Sequence, residues 1–206
     1  IRWKFDGTTG GGRLYIETRP GGDGTADATS TSADYPWYQL IVNSKATTIE
    51  FHGAVIGVNA FRGSGNCSAT TIKVDITGAI QAYAFRGCSN ATSITANATS
   101  IGNYAFYGCN NSGTVDLGAN VSSVGEYAFH NISLYVPANL YVRHNGNISV
   151  GANAFRKSNT YRLTVHCYPN NNTSANKSTY INTGNVTIKY FDDEGASAGC
   201  SHPSLS

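Results

Sequence analysis

Short runs of alternating apolar and polar residues recur along the chain. Thr71-Ile72-Lys73-Val74-Asp75-Ile76, Ser93-Ile94-Thr95-Ala96, Thr114-Val115-Asp116-Leu117 and Leu134-Tyr135-Val136 each have the period of two expected of a half-buried strand. Between them a second pattern appears five times: VIGVNAF (Val55 to Phe61), AIQAYAF (Ala79 to Phe85), SIGNYAF (Ser100 to Phe106), SVGEYAF (Ser123 to Phe129) and SVGANAF (Ser149 to Phe155). The Phe-to-Phe steps are 24, 21, 23 and 26 residues. One apolar position holds Ile56, Ile80, Ile101, Val124 and Val150; a small one holds Ala60, Ala84, Ala105, Ala128 and Ala154; the next holds Phe every time. Copies that stack like on like build a continuous core that no single copy can bury. Gly57, Gly102, Gly125 and Gly151 suit either a positive-φ turn or a close backbone approach, and Gln81 breaks the rule in the second copy.

The spacing falls in the range of leucine-rich-repeat coils. The pattern I-G-x-x-A-F-x-G-C, best seen in SIGNYAFYGC (Ser100 to Cys109), resembles the BspA-type leucine-rich repeat of secreted surface antigens. The flanks fit: Trp3 to Thr8 followed by Leu14-Tyr15-Ile16 resembles that family's N-terminal strand pair, and Tyr35-Pro36-Trp37-Tyr38 its Pro-Trp before the first repeat. The resemblance spans roughly residues 1–190. It departs in having only seven Leu, in Ala91 at a usual Leu position, and in copies four and five, which lack Gly-Cys. The expected fold is mainly β: a leucine-rich-repeat solenoid of about five coils. The expected division is an N-terminal β cap over 1–48, coils over 49–160, a strand-rich C-terminal cap over 161–190 with Arg162 to His166 and Val186 to Tyr190 as strands, and a tail over 191–206. The resemblance implies a secreted or cell-surface protein with roles in adhesion and partner binding, and it transfers no catalytic residue.

Composition narrows the chemistry. Only 13% of residues are charged and the net charge is +2, so no electrostatic case exists for nucleic acid or an anionic membrane. No apolar run approaches the roughly 20 residues that span a bilayer. The chain starts at Ile1 and contains no Met, which predicts a removed segment, with secretory cleavage the first expectation and a sequence trimmed at its start the alternative. Sequons occur at Asn66, Asn90, Asn97, Asn110, Asn120, Asn131, Asn147, Asn171, Asn172, Asn176 and Asn185, or 11 of 21 Asn. With 20 Ser and 21 Thr, chance predicts only about 4. The excess predicts an extracellular glycoprotein, although an Asn- and Thr-rich β surface also generates sequons. Asn97, Asn120 and Asn147 are expected to line one face, and Asn66, Asn90 and Asn110 another.

Cys67, Cys88 and Cys109 occupy equivalent positions and are expected as a ladder of buried thiols. Cys167 and Cys200 are the disulfide candidates, tying the tail to the last strand region. No H-E-x-x-H, G-x-S-x-G or phosphate-binding loop is present. The reading is therefore a non-enzymatic module with no cofactor and no metal. Tyr83, Tyr104 and Tyr127 precede the Ala-Phe pair in successive copies and are binding-face candidates, with partial core packing as the alternative. Two functions fit: a structural or adhesive glycoprotein that joins other copies of itself into a fibre, end to end or by strand addition, or a recognition module for a host or matrix protein or a glycan.

Overall fold

The computed structural model describes residues 2–8, 11–17, 25–26, 40, 46–62, 67–132, 137–156, 162–168 and 186–190. Its described elements are all strands. An antiparallel hairpin comes first, β1 (Arg2–Thr8) on β2 (Gly11–Glu17), with Trp3 opposite Ile16 and Phe5 opposite Leu14. Parallel to β2 follow β4 (Ala46–Gly53), β6 (Thr71–Ile76), β8 (Ser93–Asn97), β10 (Thr114–Leu117), β12 (Ala138–Val142), β14 (Leu163–Cys167) and β15 (Val186–Tyr190), making one sheet of nine strands. A second sheet stacks two-residue strands: β3 (Thr25–Ala26), β5 (Val55–Ile56), β7 (Ala79–Ile80), β9 (Ser100–Ile101), β11 (Ser123–Val124) and β13 (Ser149–Val150). Each coil is a long strand, a short strand and an Ala-Phe turn, repeated as a solenoid.

Register places like on like. Ile49, Ile72, Ile94, Val115, Leu140 and Val165 are successive Cα partners on the long sheet, and all six side chains are buried. Ile56, Ile80, Ile101 and Val124 fill the core from the short sheet. The third side is the aromatic column. Phe61, Phe85, Phe106, Phe129 and Phe155 stack ring on ring, with successive centroids 4.8, 5.1, 5.0 and 5.4 Å apart and planes within 7°. These side chains are at most 2% exposed. The alternating pattern of the strands is met as well, since Ile72, Val74 and Ile76 point in while Lys73 and Asp75 point out. The run Leu134 to Val136 lies outside the described residues; the strand of that coil is Ala138–Val142, whose Asn139 pairs with Thr114.

The motif glycines answer the question their position raised. Gly102, Gly125 and Gly151 do not have positive φ. A Cβ on Gly102 would lie 2.7 Å from Ala82 N, and one on Gly151 would lie 2.5 Å from Glu126 N. Close approach between adjacent coils is the reason for glycine there.

The left-handed conformation falls two residues later. Asn59, Tyr83, Tyr104, Tyr127 and Asn153 have φ of 59°, 61°, 57°, 53° and 55°, one per coil. This re-aims the backbone. Tyr104 N–H donates to Glu126 O (2.9 Å) and Phe106 N–H to Ala128 O (2.8 Å) in the next coil, while the intervening Ala105 N–H closes the turn on Gly102 O (3.3 Å). Asn tolerates this region, but Tyr does so at a cost of about 1–2 kcal/mol. The Tyr rings offset it by stacking at 5.1 Å on both sides of Tyr104. We therefore expect Tyr104→Ala to lose both stacks, about 1–3 kcal/mol, with the backbone strain retained. Tyr104→Asn should recover about 1 kcal/mol of that loss, and Tyr104→Phe should be close to wild type. Urea denaturation of the three variants checks this ordering; equal midpoints for the Ala and Asn variants would reject the strain argument.

Candidate functional site

The most developed surface is built on that left-handed position. Tyr83, Tyr104 and Tyr127 form a half-buried column with interplanar angles of 4° and 11°. Beside it runs a second column: Tyr107 stacks on His130 at 5.2 Å and 4°. The columns touch through Tyr104–Tyr107 (5.6 Å) and Tyr127–His130 (5.3 Å). The Arg86 guanidinium closes one end, 5.6 Å from the Tyr83 ring centre and 5.3 Å from that of Tyr107. This geometry limits what the surface can hold. Both faces of the Tyr104 ring are covered by neighbouring rings, so its exposed part is the edge and the hydroxyl. A sugar needs a free ring face to stack on, and the interior of the column offers none; a protein that accepts hydrogen bonds and packs against ring edges fits better. Partial burial, and secondarily the Glu126 carboxylate, raise the Tyr104 hydroxyl above its ordinary pKa, so it stays a donor. His130 is shifted down, first by burial and then by Arg156, and its buried Nδ1 has no hydrogen-bond partner.

The sequon residues turn out to be rungs between coils. Asn90 Nδ2 donates to Cys67 O (2.8 Å), Asn97 Nδ2 to Asp75 Oδ1 (2.7 Å), and Asn120 Nδ2 to Asn97 Oδ1 (3.2 Å). In the orientation that satisfies its amide, Asn110 donates to Asn131 O (2.9 Å) and Gly108 O (3.2 Å). The hydroxyls at the third sequon position do the same. Ser68 reaches Ala46 O (2.7 Å), Thr92 reaches Thr70 O (3.1 Å), buried Ser112 reaches Ala91 O (2.9 Å) and Ser122 reaches Thr99 O (3.1 Å). Asn97 and Asn120 thus lie one above the other, as their spacing predicted. Of the described sequon residues, Asn90, Asn120 and Asn147 are exposed, whereas Asn97, Asn110 and Asn131 are half-buried, the last with φ of 59°. Asn66, Asn171, Asn172, Asn176 and Asn185 lie outside the described residues.

Cys67, Cys88 and Cys109 form the expected buried ladder. Cys88 Sγ donates to Phe61 O (3.5 Å) and Cys109 Sγ to Phe85 O (3.6 Å), and burial drives the Cys109 thiol strongly upward in pKa. Cys167 is buried on β14, and its proposed partner Cys200 lies outside the described residues.

One cluster had no counterpart in the sequence reading. On the outward side of the long sheet Arg143 donates from Nε and Nη2 to both oxygens of Asp116, each at 2.6 Å. Its guanidinium also lies 5.6 Å from the Tyr141 ring, which stacks on His166 at 4.3 Å. The residues come from successive strands with register Asp116↔Tyr141↔His166. A bidentate pair of this kind anchors a sheet face. A shallow groove of about 620 Å³ runs over the short sheet, floored by Ser100, Gly102, Ser123, Gly125 and Gly151. Among the described residues no group of three or more His, Cys, Asp or Glu is placed to hold a metal ion.

Stacked coils with one long strand each, columns of identical core residues and laddered polar edges define a leucine-rich-repeat solenoid. The profile of the BspA type leucine-rich repeat region matches residues 43–190 in six copies, and the chain belongs to that family. A solved structure, a leucine-rich repeat protein of Treponema pallidum, is 16% identical over 74% of this chain and 85% of that one, with a TM-score of 0.40. No curated protein matches the chain. Membership is consistent with a surface, adhesion or binding repeat module in a family of typically non-enzymatic, surface-associated scaffolds. Such repeats generally mediate protein binding. No described helix is long and apolar enough to cross a membrane.

Proposed function

We propose that the chain is an extracellular structural and adhesive glycoprotein module, with coils that display laddered surfaces and ends that join other copies of itself. The observation that carries the reading is the continuous nine-stranded sheet, whose terminal strands β1 and β15 each pair on one side only among the described residues. An open sheet edge is a template for another strand. Copies that add at such edges extend without adding new folds, and a contact that does not close gives a fibre. Exposed Asn90, Asn120 and Asn147 are the sequon positions that carry glycans in this reading. Asn97 and Asn110 are half-buried rather than exposed, and stay unmodified in this reading.

The test uses protein purified from its native source. Electron microscopy is expected to show end-joined particles, and peptide mapping after enzymatic deglycosylation to show modified Asn90, Asn120 and Asn147. Isolated particles at high concentration together with unmodified peptides would reject the reading. The paired aromatic columns favour a second one: recognition of a host or matrix protein through ring edges and hydroxyls. In that case Tyr104→Phe keeps the stack but lowers binding, as Tyr104→Ala does, on a protein array.

A further inference from the structure

The N-terminal edge carries a specific self-complementarity. β1 (Arg2–Thr8) is the first strand of the long sheet and pairs only with β2 among the described residues. Its two faces differ. Trp3 and Phe5 lie opposite Ile16 and Leu14, which are fully buried, so they belong to the core side. Phe5 packs against that core and its ring spans the Gly7–Gly12 pair, in contact with both glycines' Cβ positions. Trp3 continues the same apolar side but is 44% exposed, the exposed large hydrophobic among the described residues. Lys4 and Asp6 are exposed on the other side.

We infer that β1 pairs antiparallel with β1 of a second copy, about a two-fold axis through Phe5. The register follows from charge. A two-fold perpendicular to the sheet keeps core sides together, so the axis must pass through a residue rather than between two. An axis through Lys4 sets Lys4 directly opposite its own copy, a like-charge contact that disfavours pairing. An axis through Phe5 sets Lys4 opposite Asp6 of the other copy, twice by symmetry. It also lays Trp3 across Gly7 of the other copy, beside the Phe5 ring that already spans that glycine. Phe5 already fills the space over its own edge glycine, so the incoming Trp3 packs against that ring. The pairing thus covers Trp3, satisfies the open edge and forms two opposite-charge cross-strand pairs, all isologous as a two-fold requires. The resulting particle is two solenoids joined into one continuous sheet. The inference rests on the end-joining reading above and specifies its N-terminal junction.

Sedimentation velocity of the full chain tests it. Wild type should sediment at twice the 21.8 kDa of the chain, or at higher multiples of that dimer where the β15 ends join as well. Lys4→Asp faces an aspartate with an aspartate twice and should weaken the dimer about tenfold or more. Asp6→Lys should do the same. Because Asp6 also accepts the Arg13 N–H inside the hairpin (3.0 Å), its loss of dimer needs a control for folding. The control is mixing: Lys4→Asp and Asp6→Lys copies, each monomeric alone, should form a heterodimer, which requires both to be folded. A monomeric wild type, a dimer indifferent to Lys4→Asp, or variants that stay apart on mixing would overturn the pairing. Fibres in the Lys4→Asp protein would place the junction at another edge while leaving the end-joining reading intact.

Discussion

Phe106→Ala is expected to destabilise the solenoid by about 3–5 kcal/mol, enough to unfold a marginal domain at 37 °C. The ring is fully buried and stacked at 5.1 Å on Phe85 and 5.0 Å on Phe129. Truncation removes the transfer free energy of the ring and leaves a hole whose walls cannot collapse. Those walls are held from both sides by inter-coil bonds, Phe85 N–H to Ala105 O (2.7 Å) and Phe106 N–H to Ala128 O (2.8 Å). In a solenoid each coil contacts only its neighbours, so damage at the third coil weakens two interfaces at once. Phe106→Leu, which keeps much of the buried apolar volume but neither stack, should cost less, about 1–2 kcal/mol. Denaturant midpoints of the two variants measure the difference. A Leu variant as stable as wild type would mean that ring stacking between coils adds nothing beyond burial.

How much of this was legible beforehand depended on whether a residue's role was local to its coil. The Phe, Ala and Ile columns were visible because identical types recur at one motif position, and stacking is the only arrangement that buries them all. The hairpin was expected only from the resemblance of Trp3 to Thr8 and Leu14 to Ile16 to the family's N-terminal strand pair. What escaped notice needed the register between coils. Asn-X-Thr triplets have a role as rungs only once Asn90 is known to face Cys67 O and Thr92 to face Thr70 O. Asn and Thr supply both the sequons and the rungs, so their excess carries two explanations at once. The Asp116–Arg143 pair joins residues 27 apart in sequence and depends on the alignment of β10 with β12. The left-handed position was hidden by its occupants, since Tyr is a poor marker of positive φ; Asn59 and Asn153 at the same place were the signal available. Leu134 to Val136 was read as the strand entering the fifth coil, where the strand observed is Ala138–Val142; both runs alternate, and Pro137 separates them.

Gly125→Val is the second large effect, expected at about 3 kcal/mol from overpacking rather than from a cavity. A Cβ at residue 125 would sit 2.6 Å from Asn103 N and 2.8 Å from Gly102 C, both backbone atoms of the preceding coil. Backbone cannot step aside as a side-chain tip can, so the two coils must part. Parting them stretches the bond from Gly125 N–H to Ile101 O, now 2.7 Å, and tilts the Tyr104–Tyr127 stack. Because φ at this glycine is not in the left-handed region, the penalty is steric alone, and it should scale with what is added. Ala, with the same Cβ but no branches, should cost less than Val. Had positive φ been the reason for glycine, Asn would be the best replacement; close approach predicts Asn to be worse than Ala. Gln81 stands where the others have glycine, which confines the constraint to the gaps between coils two to five. Thermal denaturation of the Ala, Asn and Val variants at Gly125 decides between the two accounts, and an Asn variant more stable than the Ala one would reject close approach as the cause.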